Sequence, residues 1–198
     1  MNFSTNNKSI TLPDADLVYY PNFLDKDPAD TYFNSLLKKL QWEQYSVKLF
    51  GKTIPQPRLT ALYALNSEPY SYSGLKLEPL IFTKELKTIY SDIVKITGST
   101  FTHCLANLYR DGNDSMGWHS DDEKELGENP VIASLSLGAV RNFQLKHKTN
   151  SELKYALKLE HGSLLIMKGN TQEFWKHQLP KTKKSLEPRI NLTFRTIK

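Results

Sequence analysis

The sequence predicts an α+β fold: a double-stranded β-helix (jelly-roll) core with N-terminal helices packed on one outer face. Three observations lead there. Two stretches in the first half repeat apolar residues at helical spacing, and most of the remaining chain is a series of short β-prone runs broken by Gly, Asn, Asp or Pro. A chain of 198 residues is long enough for one full core and short for two. Strands of this kind can close as a double-sheet jelly roll, which protects sheet edges and leaves a central pocket. A single domain over residues 1–198 is therefore expected.

Taken in order, residues 1–14 are polar and expected to be loosely ordered. Asp27 followed by Pro28 suits a helix start, and Phe33, Leu36, Leu37 and Leu40 fall on one helical face, predicting a helix near 27–40. Pro79 opens a second pattern, with Leu86, Ile89, Tyr90 and Ile93 on one stripe and Gly98 placed to stop it. Strands are predicted over 101–109, 131–137, 142–148, 163–168 and 189–196, so that two early helices precede most of the sheet.

Hydrophobic residues at 39% and charged residues at 24% are ordinary for a globular protein, and no apolar stretch is long enough to span a bilayer. The first residues lack the basic start and apolar core of a signal peptide, so an intracellular protein is expected, cytoplasmic in a bacterium and nuclear in a eukaryote. The single cysteine, Cys104, cannot form an internal disulfide and is expected to pack within a strand. A net charge of +5 is compatible with an anionic partner, although lysines such as Lys181, Lys183 and Lys184 equally suit a solvated loop.

Three constellations carry chemistry. In an extended His119-Ser120-Asp121, side chains two apart point the same way, so His119 and Asp121 can reach one metal together. With His177 from a distant strand they would make two imidazoles and one carboxylate on one face of an octahedron, a set that suits non-haem Fe(II) and leaves positions for co-substrate and oxygen. His-x-Asp by itself also describes a solvated turn. In Arg189 to Arg195, Ile190, Leu192 and Phe194 alternate with Arg189, Asn191, Thr193 and Arg195, so one strand presents two guanidiniums on one face. That face is either wet or turned into a barrel, where paired arginines would suit a dicarboxylate such as 2-oxoglutarate. Phe101, His103, Leu105, Asn107 and Tyr109 share a face in a third strand, bringing an amide and a phenol close to the metal motif.

Together, Asn107-Leu108-Tyr109-Arg110-Asp111-Gly112, Gly117 to Glu123, His161 to Leu165, His177 and Pro188 to Arg195 resemble the AlkB demethylases in order and spacing, from about Tyr45 to the C-terminus. Within that family the resemblance is closest to the subgroup acting on methylated bases in duplex DNA. It implies Fe(II) held by His119, Asp121 and His177, with Arg189, Arg195, Asn107, Tyr109 and Asn191 around 2-oxoglutarate. It implies that 2-oxoglutarate and O2 are consumed to succinate and carbon dioxide while an N-methyl group, as in 1-methyladenine or 3-methylcytosine, is hydroxylated and lost as formaldehyde.

The resemblance extends to base recognition. Pro69 to Gly74 is similar to the substrate lid, so Tyr72 would stack on a flipped base, with Tyr70, Ser73 and Glu123 nearby and Arg58, Arg110 and Asp122 as further substrate contacts. The relatives usually have phenylalanine where this chain has Tyr72. Phe50, in Val47 to Lys52, resembles the wedge that fills the gap left by a flipped base; it also suits a hairpin residue packed inward. The partner implied is alkylated DNA, duplex or single-stranded, handled by a monomer. An RNA demethylase with the same iron chemistry and a non-catalytic nucleic-acid-binding β-domain remain as alternatives.

Overall fold

A strand that is buried along its whole length needs cover on both faces, and this chain supplies it by layering. The computed structural model describes residues 3–49, 51–65, 70–72 and 75–198. With strands numbered in chain order, the large sheet runs β1 (Lys8–Leu12), β2 (Ala15–Tyr20), β14 (Ser163–Lys168), β11 (Ile132–Gly138), β16 (Arg189–Arg195), β9 (His103–Tyr109), β5 (Leu59–Ala64) and β8 (Leu80–Ile81). The small sheet runs β10 (Met116–His119), β15 (Trp175–Leu179), β12 (Arg141–His147) and β13 (Lys154–Leu159). Two hairpins, β3 (Ser46–Leu49) with β4 (Lys52–Pro55) and β6 (Tyr70–Tyr72) with β7 (Leu75–Leu77), stand outside both sheets. The helices are α1 (Lys26–Lys39), α2 (Lys84–Thr97) and a single turn, α3 (Thr171–Phe174).

Every residue of β9 and β16 is buried. The reason is that the large sheet is covered on both sides. Its outer face carries α1 and α2, whose Leu36, Leu86, Ile89 and Ile93 meet Cys104, Leu135, Leu192 and Phe194 in one apolar cluster. Its inner face packs on the small sheet, where Tyr19, Leu165 and Met167 meet Phe143, Leu145 and Trp175. This is the jelly-roll core with helices on one outer face. Cys104 is fully buried in the helix-side cluster, and burial pushes its thiol well above the ordinary range. Truncating a side chain such as Phe194 to Ala here should cost about 3–5 kcal/mol.

Several local expectations need correction. Residues 8–12, within the stretch expected to be loosely ordered, pair with β2 as an edge strand, and Phe3 stacks on Phe23 at 5.6 Å. The second helix does not begin at Pro79. Leu80 and Ile81 instead pair in parallel with Tyr63 and Ala64, and the helix is opened by Thr83, whose hydroxyl accepts from the Leu86 N–H at 3.3 Å. Gly98 ends that helix as expected, in the left-handed region at φ 66°. The helices are also not both ahead of the sheet, since β1 and β2 precede α1 and six strands lie between α1 and α2. Phe101 leaves the expected face and packs against Phe194 on the helix side, because β9 starts at His103. No helix among the described residues is long and apolar enough to cross a membrane.

Candidate metal centre and its pocket

The small sheet places the metal motif. His119 ends β10 directly opposite His177 of β15, and their rings stand 4.3 Å apart at 67°. Asp121 lies in the loop after β10, fixed by its own N–H donating to Gln172 Oε1 at 2.9 Å. One ligand atom from each of His119, Asp121 and His177 lies within 4.8 Å of the other two. His119 Nδ1 is 2.8 Å from the Gly117 carbonyl, which can only accept, so the proton sits on Nδ1 and Nε2 keeps its lone pair.

Electrostatics prepare the same three atoms. Burial, and then the neighbouring His119, push His177 down to about 3, and burial also lowers His119, so both imidazoles are neutral at pH 7. Burial works to raise the Asp121 carboxyl, yet Arg195 and then the two histidines outweigh it and hold the acid below its usual range. With His177 neutral, its Nε2 and Asp121 Oδ2, 3.7 Å apart, do not form an ion pair. Two neutral imidazoles, one of them with its tautomer set by the Gly117 carbonyl, and a carboxylate fit a divalent metal of the Fe(II) kind.

Beside this point lies a pocket between the sheets, lined by Asn107, Tyr109, Phe143, Arg189, Asn191 and Arg195 among others. Strand register makes it. Arg189 stands opposite Tyr109, and Asn191 opposite Asn107, which in turn faces Thr60 of β5. The Arg189 guanidinium lies 5.3 Å from the Tyr109 ring centre and donates to Ser136 Oγ at 2.8 Å, while its buried Nε has no partner among the described residues. Burial lowers Arg189 to about 10, so it remains a cation at neutral pH. A buried guanidinium with an unmet donor suits an incoming carboxylate.

The pocket-lining residues are not equivalent. Asn107 Oδ1 accepts from Arg58 Nε at 2.8 Å and from Thr60 at 3.3 Å, which leaves its amide hydrogens for a ligand. Asn191 differs, because its amide donates to Ser134 Oγ and the Leu135 carbonyl while its oxygen accepts from Thr193. Arg195 Nη2 bonds Asp121 Oδ1 at 3.1 Å. Arg58, expected at the substrate, is buried in the pocket wall. Arg110 grips Asp114 through two bonds of 2.8 and 2.9 Å, so a substrate contact would have to compete with that pair. Asp122 is half exposed and pairs with Lys148 at 3.1 Å. Glu123 has a buried carboxyl oxygen with no partner among the described residues, and burial raises its carboxyl.

Phe50 and Ser73 lie outside the described residues, and so do the side chains of Tyr70 and Tyr72, whose backbone forms β6. One contributor carries no signature in the sequence. Arg141, buried, lies 5.8 Å from the Tyr109 ring and donates to the carbonyls of Asp111, Asp114 and Pro180, tying the loop after β9 to the loop after β15 beside the pocket. Gly112 belongs to the same junction, since a Cβ there would stand 2.5 Å from the Thr182 carbonyl.

The 2OG-Fe(II) oxygenase superfamily matches residues 16–195. Alpha-ketoglutarate-dependent dioxygenase alkB homolog 3 of Mus musculus is 45% identical over 187 residues, covering 90% of this chain and 65% of that protein. DNA oxidative demethylase ALKBH2 of Homo sapiens is 39% identical over 188 residues, covering 90% of this chain and 72% of that protein. The structure of OsALKBH1 superposes with a TM-score of 0.69 at 16% identity, over 96% of this chain and 100% of that one, a likeness of fold. The chain spans about 65% of the length of the alkB homolog 3 proteins it matches. By family match and by identity, the chain belongs to the AlkB family of the 2OG-Fe(II) oxygenase superfamily.

Proposed function

We propose that this chain is an Fe(II)/2-oxoglutarate-dependent dioxygenase that demethylates N-alkylated bases in DNA, 1-methyladenine and 3-methylcytosine among them. The observation that carries this is the convergence of His119, Asp121 and His177 within 4.8 Å, with the buried cation Arg189 lining the pocket beside them. His119, Asp121 and His177 would hold the iron. Iron, 2-oxoglutarate and O2 together supply the oxidising power that hydroxylates the methyl carbon and releases formaldehyde.

The protein's own part is binding and positioning. Arg189, stacked on Tyr109, would take the far carboxylate of 2-oxoglutarate, while Asn107, oriented by Arg58, offers amide hydrogens beside it. Asn191, with its donors already used, would act by holding Ser134 and Thr193 in place. Arg195 would serve the metal side by fixing Asp121. Phe143, Leu159 and Met167 line the pocket with apolar surface and limit access of water. Glu123, near Asp121 and incompletely satisfied, is suited to hydrogen-bond the edge of a flipped base, with Tyr72 stacking on it and Tyr70, Ser73 and Asp122 alongside.

Succinate release, measured with 1-methyladenine or 3-methylcytosine oligonucleotides and with unmodified ones, tests this directly. Release stimulated by the methylated strands, with formaldehyde in equal amount, is expected. Equal release with both would remove the base as substrate, and stimulation by methylated RNA alone would change its class.

A further inference from the structure

The outer face of the small sheet is unusually basic. Its outward positions carry Lys146 on β12, Lys154 and Lys158 on β13, and Lys176 on β15; the remainder are Asn, Gln, Ala and Trp118, and none is acidic. Register sharpens the point. Lys146 stands directly opposite Lys154 on one side and Lys176 on the other, so three lysines form one row across three adjacent strands.

Strands lie about 4.8 Å apart, and like charges directly opposite one another destabilise a sheet. Some lysines elsewhere are matched with acids, as Lys148 is with Asp122 and Lys168 with Asp16. No such ion pair serves the four outward lysines among the described residues. Lysines on edge strands guard against aggregation, which would account for Lys154 and Lys158 on β13. It does not account for Lys146 and Lys176, because β12 and β15 are interior strands. At the border of the row, Trp118 is 37% exposed and Lys146 Nζ lies 4.5 Å from its ring centre.

We infer that this face is a nucleic-acid surface, on which the row Lys154, Lys146 and Lys176 holds the phosphate backbone of the strand whose base is presented to the pocket. The inference rests on the proposed function for the identity of that strand. Charge complementarity selects a polyanion, and an exposed indole beside the cations selects one with flat bases. The same strands carry both sets on opposite faces, since β10 and β15 turn His119 and His177 inward and Trp118 and Lys176 outward.

The test is binding of an unmodified twenty-residue oligothymidylate to the full chain across a salt series. In K146Q/K154Q/K176Q, three lost phosphate contacts should reduce the slope of log affinity against log salt by about 2, at roughly 0.7 per phosphate on a single strand. The melting temperature should hold or rise, because opposed charges have been removed. K146R/K154R/K176R should keep the wild-type slope, and binding should change the fluorescence of wild type but less so that of Trp118→Phe. An unchanged slope in the glutamine variant overturns the inference. So does competition by polyglutamate as effective as the oligonucleotide, which would assign the face to an acidic protein. Because the unmodified strand is bound without turnover, failure here is separate from failure of the succinate assay.

Discussion

The Arg195 guanidinium donates from Nη2 to Oδ1 of Asp121 across 3.1 Å, joining the last residue of β16 to the loop after β10. Both groups are buried, and the pair leaves Oδ2 of Asp121 turned toward His177. One arginine of the strand thus binds the Asp121 loop while the other, Arg189, stays with Tyr109 and Ser136. Arg195→Met should accordingly weaken metal binding by about 10- to 100-fold, the usual scale for losing a partner that orients a ligand. Anaerobic titration with Fe(II) or Co(II) reads this. Unchanged metal affinity with a raised KM for 2-oxoglutarate would return Arg195 to the co-substrate.

Replacing His119, Asp121 or His177 with Ala should abolish turnover and stoichiometric Fe(II) binding while the far-ultraviolet circular dichroism stays near wild type. Each is one of three donors, so the loss of any opens the site. Turnover near the wild-type rate in any of the three would sink the metal assignment.

For Arg189→Ala, 2-oxoglutarate should bind more weakly by roughly 2–5 kcal/mol, because a charge-assisted contact in a confined pocket is removed. Lysine at this position should rescue only part, since it lacks the planar fork. DNA affinity should change little. An unaltered half-saturating 2-oxoglutarate concentration would show that the carboxylate goes elsewhere.

Acid should loosen the helix layer through Glu85. The Lys39 ammonium, then Glu85's own backbone N–H and the Ser35 hydroxyl, lower its carboxyl from 4.5 to about 2. A depressed folded value means that the contribution is present above the unfolded value and is lost as pH falls from about 4.5 through 2. The pair is partly solvated, so Glu85→Gln should cost about 0.2–1 kcal/mol at pH 7 and almost nothing near pH 2. Urea unfolding at both pH values checks the sign; an equal cost at both would remove the ion pair as its source.

Phe50→Ala should depress activity on methylated duplex far more than on the same lesion in a single strand. Opening a stack costs a few kcal/mol, which an apolar wedge can offset, and a single strand needs no wedge. Equal losses on both would make Phe50 a packing residue of the β3–β4 hairpin.

By itself the sequence determined what local periodicity can encode. The stripe Leu86, Ile89 and Ile93, the stop at Gly98, and the alternation in Arg189 to Arg195 all arise from side-chain repeats along one segment, and each is found in the structure. The candidate metal cluster was legible for the same reason: His119 and Asp121 are neighbours in the chain, and the motif around them is dense. Tertiary structure decided whatever depends on which segments meet. Lys8–Leu12 looks like a polar tail until β2 pairs with it, and Leu80-Ile81 looks like the start of a helix until β5 offers a parallel partner. Two arginines on one face of β16 are alike in sequence, and only the approach of the Asp121 loop to one and of Tyr109 to the other separates their roles. The row of Lys154, Lys146 and Lys176 is likewise invisible in a linear chain, because cross-strand register, set by packing over the whole sheet, is not written in any one strand.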